Sequence, residues 1–470
     1  MASDEKILIY PISDFRGGEA EEECRGIRGS FKYGLNLNIH KNGYNELSCN
    51  QALKKISGSV VVDLPIRIVR VSATKAYAFG DAGKIYLIDS ETITLKYTDP
   101  DGEIVDAYYF YGYLVWSTKT NIKKHLEATA TWTAPDCAVI TPTAGTYQSN
   151  SFHKFYTIPS SDRLYVTNGS YIGAMDSGFV FNAYALDLFY GYITKALALT
   201  KPNLVIGAAD YGRAELFSWD LTSASYDPIE GWVSKDIDAI FETESGAKYI
   251  FTPTILYWFR QGQSIKARPL PGQVRHGAID MHNELLHFGT ARGVFSWGTD
   301  SKNYPEILNH EYSISEYTIP DDEPSCDIGA VCSMGDKLLV GWQVGTGIAA
   351  KYGIDITDTA NKAVAVFEAL IFKTDPHFDK LFSAVELMGK ALPEDCAVKV
   401  YTRANQKGAW VLESTQAGDD QFETHDETIS VHSSECQCRV FELRLELYPD
   451  GNDTPEITDI ISYYKFLDLF

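Results

Sequence analysis

Residues 278–297 read AIDMHNELLHFGTARGVFSW. A short apolar run ends at His282 and Asn283, a second covers Leu285 to Gly289, and a third ends on Trp297 after a turn through Gly293. Apolar runs this short, broken this often by Gly and Asn, suit β-hairpins and not helices. One such unit cannot bury its own apolar face, so similar units must stack beside it. The number of repeats therefore decides the fold.

Six other stretches have the same form: Lys75 to Asp89, Gly112 to His125, Arg163 to Asp176, Asn203 to Asp220, Lys248 to Phe259 and Lys337 to Gly353. Counted from Tyr77, Tyr113, Leu164, Leu204, Ile250, Leu285 and Leu338, the units recur on average every ~44 residues, the length of a four-stranded propeller blade. WD occurs once, at Trp219-Asp220, so the repeat is one of form and not of a strict motif. The fold expected is all-β: a β-propeller of about seven degenerate blades over residues 60–362. A pair of stacked β-sandwiches is the main rival.

The flanks differ from this body. Residues 363–470 carry longer runs, and Arg439 to Asp450 alternates cleanly, with Phe441, Leu443, Leu445 and Leu447 against Val440, Glu442, Arg444 and Glu446. One buried and one wet face imply antiparallel strands, here a C-terminal jelly-roll-like β-sandwich. Residues 1–59 hold the acidic run RGGEAEEEC and little hydrophobic period of their own. They are expected to form an extended N-terminal arm.

Composition narrows the function. A hydrophobic fraction of 45% with 29 Tyr and 23 Phe supports a folded β-rich chain. A net charge of −22 opposes direct binding of nucleic acid, which needs clustered Lys and Arg. Residues 371–470 hold 9 basic and 19 acidic side chains, read as a solvated acidic surface. Eight dispersed cysteines without a CxxC pair suggest neither a disulfide framework nor a zinc site, and Cys436 and Cys438 read as thiols on one strand face. No apolar run approaches about 18 residues and the opening MASDEKILIYPISDF lacks a signal-like pattern, so no membrane contact and synthesis in cytoplasm are expected.

Candidate chemistry is sparse. His276, His282 and His287 surround one hairpin, where alternation should scatter them into turn and packing roles. Asp99, Asp101, Gly102 and Asp106, and likewise Asp450, Asn452 and Asp453, are fragments of a calcium loop without its terminal Glu, and read as turns. Gly345-Thr346-Gly347 also reads as a tight turn. There is no G-x-S-x-G elbow, Walker loop or dinucleotide fingerprint, nor the Ser-x-Asp-x-Gly-x-x-Trp box of sialidase-type propellers. The expectation is no catalytic residue, no metal and no cofactor. Tyr108, Tyr109, Phe110, Tyr111 and Tyr113 suit sugar stacking or blade cores equally.

Two stretches resemble virion structural proteins of tailed bacteriophages. The first is SFKYGLNLNIHKNGYNELSCNQALKKISGSV, with Gly34, Leu35 and Asn36 followed by Glu46, Leu47 and Asn50; Ile56-Ser57-Gly58 replaces the Arg-Pro-Gly often seen there. The second is LFSAVELMGKALPEDCAVKVYTR with FELRLELYPDGNDTPEITDIISYY, where Asn452, Thr454, Pro455, Glu456 and Ile457 carry the likeness. Together they cover about a third of the chain. The resemblance implies a non-enzymatic component of the tail or head-to-tail region, made in the host bacterial cytoplasm and located in the virion. Its partners would be other virion proteins and copies of itself, with the six residues of the first stretch as assembly-arm candidates. Two other functions compete: a carbohydrate-binding host-surface adhesin or glycan-active propeller, and a cytoplasmic interaction scaffold.

Overall fold

Asn283 and Glu284 both adopt positive φ, 47° and 65°, as the centre of a two-residue type I′ hairpin turn requires. The turn sets Met281 opposite Leu286 and His282 opposite Leu285, and Gly293, at φ 128°, closes the next hairpin. The strands Ile279–His282, Leu285–Thr290 and Gly293–Gly298 thus form where the sequence places them, and a fourth, Ile307–Tyr312, adds to their outer edge. The computed structural model describes residues 8–20, 30–40, 45–157, 162–189, 191–200, 203–229, 234–243, 246–259, 265–299, 306–369, 379–405, 407–417 and 428–467.

Six further sheets repeat this antiparallel plan, two of them with an added outer strand, Ser57–Gly58 or Pro142–Ala144, that pairs parallel. Their first strands are Pro65–Arg70, Ile104–Phe110, Phe155–Thr157, Ile193–Thr200, Ala239–Glu242 and Asp327–Met334. Ile68, Ala107, Phe155, Leu197, Ile240, Ile279 and Val331, one from each of the seven first strands, line a single cavity, so these strands encircle an axis. Asp327–Met334 packs against Pro65–Arg70 and closes the ring. Apolar clusters fill the spaces between neighbouring sheets, with Trp116, Trp297 and Trp342 each at most 2% exposed. Trp297 is thereby a core residue, as its sequence context implies.

The N-terminal residues correct the expected arm. Leu8–Ile12 pairs with Ile457–Phe466 at the edge of a four-stranded sheet that also holds Lys380–Gly389 and Thr428–Cys438. Ser30–Leu35 pairs with Ala365–Ala369 in a six-stranded sheet with Phe441–Tyr448, Ala397–Ala404 and Val411–Ala417. Gln51–Lys55 is the outermost strand of the seventh sheet of the ring, paired with Lys351–Lys362. The boundaries at 59 and 362 are therefore crossed by strand pairing: the described residues of 1–59 complete both modules. The reason is burial, since Phe31, Leu37, Ile39, Leu47 and Cys49 are fully enclosed and would cost too much exposed.

The two-sheet module packs Phe441, Leu443, Leu445 and Leu447 inward, as the alternation predicts. Its other face is not wet. Glu442 and Glu446 are 1% and 4% exposed, and Arg403 forms a two-pronged ion pair with Glu442 at 2.7 and 2.9 Å. Cys438 is buried, whereas the Cys436 side chain lies outside the described residues.

Candidate functional site

Pro65–Arg70, PIRIVR, is an apolar strand interrupted by two arginines. Being an innermost strand, it turns Arg67 and Arg70 toward the axis, where both line a cavity of about 370 Å³. A second cavity of about 570 Å³ adjoins it and is lined by Lys154, Lys195, Arg275 and Asp238. His276, in the turn before Ile279–His282, belongs to the wall of both.

Asp106 sits beside that junction, 1% exposed. It accepts the Phe155 N–H at 2.8 Å, and it lies 3.5 Å from Arg67 Nε and 3.4 Å from His276 Nε2. Burial opposes its charge, but Arg67, His276 and Lys154 outweigh burial and hold the carboxyl well below the usual carboxylate range. Lys154 donates to the Val105 carbonyl at 3.0 Å. Burial pushes its amine down, with Asp106 opposing the shift and Arg67 adding to it. Burial likewise lowers His276 despite Asp106. Arg67 Nε and both ring nitrogens of His276 are enclosed and make no hydrogen bond. The remaining wall joins aromatic rings, Tyr108, Tyr109, Tyr156 and Phe241, to Asp280, whose oxygens accept the Met281 and Ser333 N–H groups at 2.8 and 2.7 Å. This arrangement offers charge, hydrogen-bond donors and flat apolar surface in one enclosed space.

The six arm candidates are brought together, but inside the chain. Gly34 pairs with Phe367, and a Cβ there would lie 2.7 Å from the Phe31 ring. Leu35 is 2% exposed. Asn36, at φ 54°, accepts the Ser313 N–H at 2.6 Å and donates to Ser313 Oγ at 2.9 Å. Asn50 donates to the Glu311 carbonyl at 3.3 Å. Glu46 is 2% exposed, and Leu47 bridges to Ile457. They form the junction between the two-sheet module and the sixth sheet of the ring, and are not presented to a neighbour.

The three histidines scatter only in part: the rings of His282 and His287 pack edge to face with centroids 5.5 Å apart, and His276 lies elsewhere. His282 contacts Ser333 at 3.0 Å, His287 contacts Glu311 at 2.7 Å, and His276 faces the axis. Packing roles fit the first two, whereas His276 is a channel residue, which corrects the expectation for it. Asp99 and Asp101 hold Lys123 at 2.6 and 2.8 Å, so the acidic fragment is an ion-pair cluster. Asp450 and Asp453 bridge across a turn. Gly347 begins a single 3-10 turn, Gly347–Ala349. Of the aromatic run, Tyr108 and Tyr109 reach the channel, Phe110 is core and Tyr111 is exposed. Among the described residues no group of His, Cys, Asp and Glu is placed to hold a metal ion, and no helix is long and apolar enough to cross a membrane.

Arg67 and Lys154 were not visible as site residues in the sequence. The signal present was an arginine on a strand that otherwise reads as fully buried, since a buried cation needs a partner.

These features define an all-β chain with a β-propeller-like fold made of several four-strand sheets. Among solved structures, the chain is similar to streptogramin B lyase, at 14% identity and TM-score 0.48 over 66% of this chain and 98% of that one. It is also similar to the WD40 β-propeller domain of Doa1, at 13% identity and TM-score 0.47 over 66% and 97%, and to the Dos1 propeller, at 11% and 0.42 over 71% and 94%. No family model and no curated protein matches the sequence.

Proposed function

We propose that this protein is a non-enzymatic structural component of a tailed-phage virion, present in several copies at the tail or head-to-tail region. In this reading the ring is a seven-bladed degenerate propeller, and the two-sheet module is a jelly-roll-like sandwich. The supporting observation is the weave of the N-terminal strands, which ties ring and sandwich into one body suited to bearing load. With the arm candidates internal, contacts between copies fall to the sandwich edges. Val411–Ala417 and Thr428–Cys438 end their sheets, and Val411 and Leu412 are 53% and 49% exposed. An open edge strand can add a strand from a neighbour, and a ring of copies multiplies modest contacts. Mass spectrometry of purified particles tests the reading: the protein should be present at a fixed ratio to the other tail proteins, and its absence from washed particles rejects the proposal.

A second reading, a host-surface glycan-binding protein, is favoured by aromatic rings held in the open. Tyr211 is fully exposed and Phe189 is 70% exposed, the geometry in which a ring can stack on a sugar. A glycan array separates the two readings. Selective binding without turnover supports adhesion, and hydrolysis of the bound glycan shows a glycan-active propeller.

A further inference from the structure

The apolar core between the second and third sheets of the ring opens to solvent at one end. There Tyr111 and Gly112 turn the chain from Ile104–Phe110 into Tyr113–Thr118, at φ 47° and 82°. Such a turn favours Asn and Gly, yet its first residue is a tyrosine that stands 58% exposed. Its ring meets Phe110 edge to face at 4.8 Å, and Phe179 packs the same way on Phe110 and Tyr113 at 6.1 and 4.8 Å. Leu126, paired with Tyr113, and Val180, beside Phe179, are 40% and 53% exposed and extend the patch. A continuous exposed apolar surface of this kind marks a contact with another molecule.

Lys124 sets the charge that this contact must carry. Its Nζ lies 3.7 Å from the centre of the Phe179 ring and 5.4 Å from that of Tyr113. Among the described residues no carboxylate pairs with it: Asp176, at the base of the Phe179 turn, accepts the Gly178 and Val180 N–H groups at 2.9 Å, and Glu127, next to Leu126, pairs with Lys75. Burial alone acts on the Lys124 amine and lowers it, with no opposite charge to offset the shift. A carboxylate brought by another molecule would supply that charge.

The chain carries a matching edge of its own. Val411–Ala417 ends the six-stranded sheet of the two-sheet module, with Val411 and Leu412 exposed and Glu413 next to them. Glu413 accepts the Thr402 hydroxyl at 2.5 Å, and an ionised carboxylate keeps acceptor capacity for a cation as well. At net charge −22 two copies repel each other. A contact between them is therefore favoured where a cation of one meets a carboxylate of the other within apolar surroundings.

We propose that the patch around Tyr111 receives the 411–413 edge of a second copy of this chain, with Leu412 against Tyr111, Leu126 and Val180 and Glu413 against Lys124. This deepens the reading of several copies in one particle, on which it rests, by giving the sandwich edge its receiving surface. Two different surfaces meet, and every copy offers one of each. The contact therefore repeats in one direction and closes a ring when the rotation per copy allows it.

Sedimentation velocity of the purified full chain tests the proposal from about 1 to about 200 μM, where contacts of micromolar strength form. Measurement outside the particle keeps failure of this contact distinct from absence of the protein from particles. The native chain should associate as its concentration rises. Tyr111→Ser and Leu412→Ser, both at exposed positions, should each weaken association at least about tenfold. An equimolar mixture of these two variants should form a dimer that grows no further, because one intact patch and one intact edge remain. Lys124→Glu should abolish association, and Glu413→Lys added to the same chain should restore it. If Lys124→Glu does not fold, as judged by circular dichroism, the mixture of the two exposed-site variants decides. A native chain that stays monomeric, either exposed-site variant associating as the native chain does, or a mixture that stays monomeric would overturn the contact. Native-like association of a folded Lys124→Glu chain would overturn its pairing with Glu413.

Discussion

His310 shows how one side chain couples the two modules. Its Nδ1 accepts the Asn36 N–H at 3.2 Å, and its Nε2 donates to the Arg292 carbonyl at 2.9 Å. Both nitrogens are used with a single ring proton, so the imidazole must be neutral. Burial first, and the Arg292 guanidinium second, push it down to about 3. An unfolded histidine titrates near 6.5, so in acid the unfolded chain takes the proton first. Stability from His310 is thus complete above about pH 6.5 and is lost as pH falls toward about 3. His310→Gln should cost about 1–3 kcal/mol at neutral pH. That gap should narrow by about 1.4 kcal/mol per pH unit below about pH 6.5. Paired urea melts of native and variant chains measure it, and a gap independent of pH would refute a neutral His310. Asp106 gives a second expectation at this scale. Asp106→Asn leaves Arg67 and Lys154 without their carboxylate and should destabilise by about 3–5 kcal/mol, read from the same melts.

At the scale of elements, the first 55 residues matter most. Phe31, Leu35, Leu37, Ile39, Leu47, Cys49 and Leu53 are all at most 7% exposed. At about 1.5–3 kcal/mol each their burial contributes roughly 10–20 kcal/mol. That equals or exceeds the whole net stability of a typical domain, about 5–15 kcal/mol. Deleting residues 1–55 should therefore yield insoluble or molten protein and not a folded, assembly-defective one; a sharp urea transition in the truncated chain would show otherwise. The inner hairpins were legible in sequence because each strand is a short apolar run that meets its partner across a short turn such as Asn283-Glu284. The N-terminal strands were not, because their partners are remote: Phe31 faces Ala369 and Lys55 faces Asp355. Outer strands such as Ala138–Val139 and Asp227–Pro228 are too short and exposed to leave a pattern. The channel was hidden for a third reason. Arg67 and Asp106 come from two sheets, Lys154 and His276 from the segments that lead into two others, and only ring closure makes them neighbours.

For the whole molecule, the question is whether ring and sandwich unfold as one. The first described strand, Leu8–Ile12, lies in the sandwich; the chain then supplies the outer strand of the seventh sheet and returns to the sandwich across the two residues between Lys362 and Ala365. Arg292 pairs with Glu19 at 2.5 Å, and Asn309 donates to the Leu37 carbonyl at 2.7 Å. Loss of the sandwich would strip these partners from the sixth sheet and bare Ile307, which is buried in the sandwich core, so partial unfolding is penalised. A probe in one module should then report damage in the other. Phe367 is 1% exposed in the sandwich core, with its ring 5.7 and 5.5 Å from those of Phe15 and Phe31. Phe367→Ala should cost about 3–5 kcal/mol. Trp116, Trp297 and Trp342 lie in the ring and report its packing through fluorescence. The midpoint read by tryptophan fluorescence should fall as far as that read by far-ultraviolet circular dichroism, in a single calorimetric transition whose van't Hoff and measured enthalpies agree. A fluorescence midpoint that stays in place while the dichroism splits into two steps would mean that the shared strands do not couple the modules.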